Sequence, residues 1–448
     1  MARRARPRTT ETELTVQLQG QILGHLRGAG DDFDFEPTRD AIQTWGLGSR
    51  MLSAAIPLVP RTTRGREVRS NFFAELLPEG DARKRLADEA GLRRNDVMGM
   101  LAAYGRDVAG AIQIWDASIP GEPRTPEVEP LNDKGVRAML ENVGSAPLGN
   151  KPQRGKTSLN GVQPKIVLVR TENGWARAID GYPSTHILKP RVPGYQSMIF
   201  DEEYGSRFAR ALNLASFSTE LLTFDGTPAL VIERYDRDPK ALDGRIHQED
   251  FNQALGLSGD QKYEMFGGKG VRDIAEVIEA DDAEQVLKMI TLSVAIGNLD
   301  LHMKNFSLLH LPGDSVRVAP MYDVVPQHFY DNDGEMALRI GGEFEHRLLA
   351  REHLEMAGVE IGIRNPEQIV TTTLEIVREV ATSERPHPAA HPGLQFAVGE
   401  MATRLLAGKT VSGEAPGAAA SSAGGSSGGG GWRWDNPRHH TDASQRAE

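Results

Sequence analysis

The chain has 448 residues, which is long enough for two or three domains with substantial hydrophobic cores. Its formal net charge of −11 argues against a globally basic nucleic-acid-binding protein. The absence of cysteine excludes disulfide bonds and thiolate metal sites, and it fits a protein of the reducing cytoplasm.

The beginning of the chain predicts a small α+β unit. Residues 1–13 are charged and are expected to be disordered, and no apolar stretch follows them that would form an export signal. From Leu14 to Leu26 apolar and polar residues alternate, which predicts a β-hairpin with Gly20 near its turn. Further elements are expected as strands at 32–35, 53–58 and 107–115 and as helices at 82–90 and 94–104. Together they define an N-terminal subdomain over residues 14–116.

The remainder of the chain predicts a linker, a mixed region and a helical region. Residues 117–156 are rich in proline, glycine, lysine and glutamate, and are expected to be a linker that contains one helix near 134–143. In residues 157–236 the expected elements are strands at 166–169 and 185–190, a helix at 201–214, and a hairpin of strands 220–224 and 229–235. Residues 237–408 are mainly helical by pattern, whereas residues 409–448 are of low complexity and are expected to be disordered. No apolar run approaches the ~18 residues that a membrane helix needs.

One short polar loop between apolar segments carries the strongest chemical signal. Residues 289–296 predict a buried helix that ends at Gly297, because glycine tolerates a left-handed backbone. Asp300, His302 and Asn305 follow within six residues. Asp300 and His302 do not suit a metal hydrolase, because a second histidine at helical spacing is missing.

The spacing of three polar residues matches the pattern of protein kinases. There, an aspartate accepts the proton of the substrate hydroxyl, and an asparagine five residues later binds metal. A second aspartate, after a β-hairpin, binds the metal that bridges the phosphates. Asp300 and Asn305 have the five-residue spacing, and Asp323 follows a predicted hairpin between residues 307 and 318. The spacing alone is common and also fits a loop that caps a helix.

Other parts of a phosphoryl-transfer site can be assigned upstream. Lys189 ends a predicted strand and Glu202 lies in the next helix, as the lysine–glutamate pair of a kinase small lobe requires. An exposed, unrelated ion pair is the alternative. Adenine would lie against backbone groups of Glu233 and Tyr235, at the end of the last strand before the helical region. A salt-bridged strand end is the alternative there.

The loop at 158–165 precedes the first strand of the small lobe, where a loop that covers phosphates belongs. It has one glycine and matches neither G-x-x-x-x-G-K-[ST] nor G-x-G-x-x-G. Lys165 could reach a phosphate or could be solvated at the start of a strand. His302 could contact phosphate or could hold its own loop together.

The chain resembles the HipA serine/threonine kinase toxins of bacterial toxin–antitoxin systems over roughly residues 14–400. The loop at 297–306 and Tyr322-Asp323-Val324-Val325-Pro326 belong to this resemblance. The other matching segments are 72–80, 105–114, 158–165, 185–190, 233–237 and 245–251. Each segment alone is unspecific, but so many in the same order are highly specific.

The resemblance implies an α+β fold, in which a two-lobed core of the protein-kinase type (like that of the PI3/4-kinases) follows an α+β N-terminal subdomain. It implies that Asp300 is the catalytic base, that Asn305 and Asp323 hold Mg²⁺, and that Glu202 is the partner of Lys189. The residues expected to contact ATP are Asn160, Gly161, Val162, Gln163, Lys165, Lys189, Glu233, Tyr235, His302 and Tyr322.

The resemblance also implies regulation and partners. Ser158 matches a serine that these kinases phosphorylate on themselves, which ejects the phosphate loop and inactivates the enzyme. Family members phosphorylate an aminoacyl-tRNA synthetase, which halts translation. A small helix-turn-helix antitoxin of the HipB kind neutralises them and provides most of the contact with operator DNA. No membrane contact is expected.

Three features depart from the family pattern. Asn160 and Val162 occupy loop positions that usually hold small residues, Asn213 stands where glycine is common, and the Gly/Ser-rich tail is not a family feature. Two alternative functions stay open. The chain could act as a non-catalytic co-repressor partner of the antitoxin, or as a small-molecule kinase on the same fold.

Overall fold

The structure is a computed structural model, and it describes residues 12–60, 64–151, 154–159, 161 and 163–412. Asn160, Val162 and nearly all of the N-terminal segment and tail that were predicted to be disordered lie outside the described residues.

The N-terminal unit is built on a four-stranded antiparallel sheet with the strand order β3-β2-β1-β4. Its strands are β1 (Thr12–Leu18), β2 (Gln21–Ala29), β3 (Asp32–Pro37) and β4 (Ile112–Trp115). The predicted hairpin is confirmed, since Gln19 and Gly20 turn the chain with positive φ angles between β1 and β2. Leu14, Val16 and Leu18 are fully buried on one face of β1.

Four helices cover this sheet and complete its core. They are α1 (Arg39–Trp45), α2 (Arg66–Ala74), α3 (Gly80–Glu89) and α4 (Val97–Tyr104). The strand predicted at 53–58 is wrong, because in this segment only Ser53 and Ile56 pair, as an isolated bridge. The Ser53 hydroxyl accepts the Ala55 N–H at 3.1 Å, which favours a local turn over an extended strand.

The small lobe contains a six-stranded antiparallel sheet in the order β5-β7-β6-β8-β10-β9. Its strands are β5 (Glu127–Leu131), β6 (Ile166–Thr171), β7 (Gly174–Ile179), β8 (His186–Pro190), β9 (Thr219–Phe224) and β10 (Thr227–Glu233). Two helices pack on it, α5 (Asp133–Glu141) and α6 (Met198–Ala211). The predicted hairpin around Asp225-Gly226 is confirmed as β9 and β10.

The segment expected to be a linker is partly built into this lobe. Strand β5 pairs with β7 in antiparallel register from Glu127↔Ile179 to Leu131↔Trp175. Edge strands expose much of their surface, and β5 carries Pro130, so its sequence lacks the apolar alternation of a central strand.

The large lobe is mainly helical, as predicted, but it also contains two small sheets. Its helices are α7 (Phe251–Ala254), α8 (Val271–Ile274), α9 (Ala283–Ile296), α10 (Arg351–Glu360), α11 (Glu367–Ser383) and α12 (Leu394–Leu406). The sheets are formed by β11 (His247–Asp250), β12 (Ser307–Leu311) and β13 (Ser315–Val318), and by β14 (Glu335–Ile340) and β15 (Glu343–Glu345). Helix α9 lies at the centre, packed against α6, α10, α11 and α12.

A buried ionic network joins the N-terminal unit to the connection between the lobes. Arg237 donates to Asp107 at 2.9 Å, and Arg234 donates to Asp236 at 2.8 Å. The N–H of Gly110 donates to the same Asp236 oxygen at 2.8 Å. Gly110 has φ +80°, and a Cβ atom there would lie 2.8 Å from the backbone of β11, so only glycine fits without strain. The N-terminal unit is therefore held tightly against the kinase-like core.

Among the helices that the structure describes, none combines the length and the apolar character needed to cross a bilayer.

Candidate active site

A cavity of about 210 Å³ lies where the small lobe, the large lobe and the N-terminal unit meet. Nearly all of the described residues that were assigned to the site line it. These are Gly161, Gln163, Lys165, Lys189, Glu202, Glu233, Tyr235, Asp300, His302, Asn305, Tyr322 and Asp323. Ser158 does not belong to the lining. The fold thus brings together residues that are up to 162 positions apart, the separation of Gly161 and Asp323.

Lys189 is the ionic centre of the site. It lies near the end of β8, and its ammonium donates to Glu202 on α6 at 2.7 Å and to Asp323 at 2.6 Å. Burial alone would raise the pKa of the Asp323 carboxyl, but Lys189 outweighs burial and holds that pKa below its usual value. Burial raises the pKa of Glu202, whose side chain is only 3% exposed. Both carboxyl groups thus contact Lys189, and burial and the lysine act in opposite directions on the pKa of each.

The catalytic-loop candidates follow helix α9. The helix ends at Gly297 in the left-handed conformation (φ +72°), as predicted. Asp300 follows, and its backbone carbonyl accepts the Asn305 side-chain amide at 2.7 Å. This bond closes the loop and fixes the amide group of Asn305.

The Asp300 carboxyl lies in a low-dielectric environment. Burial raises its pKa to about 7, and the nearby Asp323 carboxylate adds to the rise. The hydroxyl of Tyr263 donates to Asp300 at 3.2 Å. A carboxyl with a pKa near neutrality is matched to accepting a proton in a reaction at physiological pH.

His302 lies 3.9 Å from Asp300, and burial lowers the pKa of its imidazole to about 3. It is therefore neutral at physiological pH. Its ring packs edge-on against Tyr263, with the centroids 5.3 Å apart.

Asp323 adopts a backbone conformation that is uncommon for a residue with a side chain. Its φ angle is +56°, in the left-handed region that aspartate tolerates better than most residues. Tyr322, next to it, donates to the carbonyl of Lys304 at 2.7 Å. The loop with Asn305 and the segment with Asp323 are thus tied to each other.

One end of the cavity is apolar. Ile187, Ile232, Phe217 and Met321 contribute to this end, next to the segment with Glu233. The N–H of Glu233 donates to Ser218 O at 3.0 Å and is therefore not open to a ligand. The cavity thus combines an apolar end with a charged end.

Lys165 faces the charged end. Burial and the neighbouring Lys189 lower the pKa of its amine to about 8. In the same loop, Gly161 has φ +100°, and a Cβ atom there would lie 2.6 Å from Lys165 Nζ. A side chain at position 161 would displace the flexible end of Lys165, and the positive φ angle independently favours glycine there.

Ser158 is fully buried outside the cavity. Its hydroxyl donates to Leu76 O at 2.8 Å, and its N–H donates to Asp107 O at 3.0 Å. Both partners belong to the N-terminal unit, so this unit holds the start of the loop.

Of the charged residues near the site that were not identified from the sequence, four form one cluster. Lys304, next to Asn305, donates to Glu75 and to Glu79, each at 2.5 Å. Lys262 donates to Glu79 at 2.7 Å. The carboxylates lie in a segment that had been assigned no chemistry, although 72–80 belongs to the family resemblance and contains Pro78 and Gly80.

In this structure a lysine is bound to two carboxylates, and it faces an aspartate–asparagine loop across a cleft between a sheet and a helical lobe. This arrangement defines a two-lobed phosphotransferase. Comparison with known proteins identifies the family within this class of enzymes. A family model described as the HipA-like C-terminal domain matches residues 157–384, and one described as the HipA N-terminal domain matches residues 14–115. The chain belongs to the HipA family of serine/threonine kinase toxins.

Individual relatives agree with this assignment. A putative kinase of Sinorhizobium fredii, Y4mE, is 32% identical over 352 residues, which cover 73% of this chain and 82% of the relative. The serine/threonine-protein kinase toxin HipA of Shewanella oneidensis is 28% identical over 356 residues, 74% of this chain and 79% of that toxin. Among solved structures, the Shewanella oneidensis MR-1 complex of HipA, HipB and operator DNA contains a chain that matches with a TM-score of 0.67 and 25% identity. The match covers 88% of this chain and 96% of that one.

Proposed function

We propose that this chain transfers the γ-phosphoryl group of ATP to a serine or threonine hydroxyl of a protein. The observation that supports this most directly is the arrangement of Asp300 and Asn305 opposite Lys189 and Asp323 around one cavity. Phosphoryl transfer needs positioning and charge neutralisation more than covalent chemistry, and these four groups can supply both.

Each residue has a separate part in the proposed reaction. The acceptor hydroxyl loses its proton to the Asp300 carboxylate as its oxygen attacks the γ-phosphorus, and ADP leaves. Lys189 neutralises charge on the phosphates, and Glu202 keeps the ammonium of Lys189 oriented. Lys165 provides a second amine at the phosphate end, with a pKa of about 8 that leaves it mostly protonated at neutral pH.

Mg²⁺ fits the oxygen atoms that Asn305 and Asp323 offer. Magnesium prefers oxygen ligands and commonly takes one or two protein groups together with phosphates and water. The Asn305 amide nitrogen is engaged with Asp300 O, so the amide oxygen is the atom available to a cation. When bound, the ion would neutralise phosphate charge. Within the described residues there is no group of three or more histidine, aspartate or glutamate side chains that could hold a metal by themselves.

Adenine would occupy the apolar end of the cavity. The carbonyl of Glu233 would accept from the adenine amino group, and the N–H of Tyr235 would donate to the ring. Gln163 and Tyr322 would contact the nucleotide from opposite lobes, while His302, neutral at physiological pH, would be an uncharged neighbour of the phosphates.

Asp300→Asn tests the proposed base. We expect the variant to lose at least ~100-fold in phosphate transfer from γ-labelled ATP with Mg²⁺, because the base acts in the transition state. Binding of a non-hydrolysable ATP analogue should stay within about threefold of wild type. Asp331→Asn, a change in an exposed loop, is the control. Full activity of Asp300→Asn would show that another residue is the base.

Self-phosphorylation at Ser158 is proposed as the off-switch. Ser158 is fully buried against Leu76 O, so it must leave that site before its hydroxyl can meet Asp300. A phosphate on Ser158 could not return to the same position, because it has no room beside a carbonyl acceptor. Mass spectrometry of wild type and Asp300→Asn after incubation with ATP tests this. Phosphoserine at 158 should be present in wild type and absent in the variant.

The proposed partners are a HipB-like helix-turn-helix antitoxin and a protein substrate, for which an aminoacyl-tRNA synthetase is the first candidate. The match to a toxin chain in a complex with HipB and operator DNA supports the antitoxin, which would provide most of the DNA contact. The same match also supports a second role for this chain, as a co-repressor together with the antitoxin. Comparison of the phosphoproteome after cytoplasmic induction of wild type and of Asp300→Asn would identify the substrate. Binding to operator DNA together with the antitoxin should be equal for the two proteins.

A further inference from the structure

The N-terminal unit reaches into the active site through one short segment. Glu75 follows α2 directly and Glu79 precedes α3, and the residues between them are buried. We call residues 75–79 the bridging segment. Its two carboxylates meet the ammonium of Lys304, with both N···O distances at 2.5 Å.

Lys304 lies between the proposed base and the proposed metal ligand of the catalytic loop. It lies in the short turn Met303–Asn305, directly before the proposed metal ligand Asn305 and four residues after Asp300. The Lys304 side chain is 5% exposed. The backbone carbonyl of Lys304 accepts a hydrogen bond from the Tyr322 hydroxyl. The ammonium and the backbone carbonyl of Lys304 thus both tie this turn to other parts of the chain.

Glu79 also contacts the part of the cavity next to Asp300, where the acceptor hydroxyl would bind. Its second oxygen accepts from Lys262 at 2.7 Å. The neighbouring Tyr263 donates to Asp300 at 3.2 Å. One carboxylate thus connects the two chain segments that flank Asp300.

The bridging segment is anchored on both sides. Gln253 of α7 donates to Phe72 O at 2.9 Å, which ties α2 to the large lobe. Leu76 O accepts from Ser158 at 2.8 Å, so the same segment also holds the loop that covers the phosphates. The segment thus lies between the two loops on which the proposed phosphate transfer depends.

We propose that Glu75 and Glu79 are positioning residues for phosphoryl transfer, which hold the catalytic loop through Lys304 although they lie outside the kinase-like core. The inference rests on the proposed kinase function. Without the carboxylates, the buried ammonium of Lys304 would lose both of its ion-pair partners, with the Asp250 carboxyl left as a neighbouring group, and the loop would shift to hydrate the ammonium. A displacement of about 1 Å in reacting groups can cost ~100-fold in rate.

The test is the full chain with Glu75→Gln and Glu79→Gln combined. Initial rates of labelled phosphate transfer from γ-labelled ATP, to protein and to water, are measured against ATP concentration. We expect kcat to fall at least ~10-fold while KM for ATP stays within about threefold, because the nucleotide contacts lie elsewhere in the cavity.

Asp34→Asn is the matched control. Asp34 accepts from Arg69 of α2 at 2.7 Å, in the same N-terminal unit but away from the cavity. This variant should lower the melting temperature, yet keep kcat within about twofold of wild type.

Three results overturn the inference in distinguishable ways. If wild type transfers phosphate and the double variant keeps its kcat, the inference is wrong while the proposed function stands. If wild type transfers no phosphate to protein or water, the proposed function fails and this inference with it. A fall in kcat that Asp34→Asn reproduces would also contradict positioning, because it would reflect general loosening of the N-terminal unit.

Discussion

Lys189 shows how one residue can organise a site. Its ammonium has two carboxylate partners from different parts of the chain, Glu202 on α6 and Asp323 beyond β13. Both partners together raise the pKa of the lysine against the opposing effect of burial, so it stays charged. The charge is held at the place where phosphate oxygens would have to be neutralised.

We predict that Lys189→Met reduces phosphate transfer by at least ~100-fold, the usual cost of losing a preorganised charge in the transition state. The melting temperature should also fall, because Glu202 would be left buried without its cation. Activity assays and thermal unfolding measure the two effects. Lys269→Met, which removes a partly exposed i,i+4 pair with Asp273 away from the cavity, should change neither.

At the residue scale, local spacing could be predicted but distant contacts could not. Asp300 and Asn305 lie in one loop, so their spacing in the sequence already limits their separation in space. Glu75 and Lys304 are 229 positions apart, and their contact depends on how two units pack. No local pattern contains that information.

Helix α6 packs closely against the Asp323 segment at Gly205, which has no side chain. A Cβ atom at Gly205 would lie 2.0 Å from Val324 O, directly after Asp323. The helix therefore approaches the Asp323 segment as closely as backbone atoms allow. Glu202, one turn before Gly205, meets Lys189 because of this approach.

We predict that Gly205→Ala destabilises the protein by about 1–3 kcal/mol, because overpacking outweighs the ~1 kcal/mol that alanine gains over glycine in a helix. Phosphate transfer should fall as well, since Asp323 would be displaced. Urea unfolding and activity assays measure both.

Gly399→Ala in α12 is the matched control. Its Cβ would meet Ala381 at 3.8 Å, an ordinary contact, so it should be neutral or slightly stabilising. If both variants behaved alike, close approach at Gly205 would not matter.

Elements with strong patterns were predictable, whereas those defined by their neighbours were not. The apolar run of α9 and its glycine end identify that helix without tertiary information. Strand β5 was missed because an edge strand becomes a strand only through its partner. Strand β7, which lies between β5 and β6, was missed as well. The segment with Asp107 and Gly110 was expected to be strand, but it departs from the sheet to contact the lobe connection, and only β4 remains extended.

At the scale of the whole molecule, folding buries several histidines as neutral rings. Burial lowers the pKa of His346 to about 4 and that of His247 to about 3. Each ring donates its Nε2–H to a backbone carbonyl, His346 to Val294 O and His247 to Leu52 O, both at 2.8 Å. In the unfolded chain these rings bind a proton near pH 6.5.

The protein should therefore lose stability as the pH falls below 6.5. The unfolded state binds protons that the folded state excludes, so each such histidine costs about 1.4 kcal/mol per pH unit until its folded pKa is reached. We predict that His346→Gln has a flatter decline of unfolding free energy between pH 6.5 and pH 4 than wild type. Urea unfolding at a series of pH values measures it. Above pH 7 the two curves should run parallel, and parallel curves below pH 6.5 would contradict the prediction.

The lining of the cavity has a consequence for how ligands bind. Among its described residues, eight carry carboxyl groups and five carry cationic groups. The carboxyl residues are Glu79, Glu202, Glu233, Asp236, Glu249, Asp250, Asp300 and Asp323, and the cationic ones are Lys165, Lys189, Arg234, Lys262 and Lys304. A triphosphate alone would thus enter surroundings with an excess of acidic groups. Nucleotide and divalent cation should then bind with positive cooperativity, each raising the affinity for the other by the same factor.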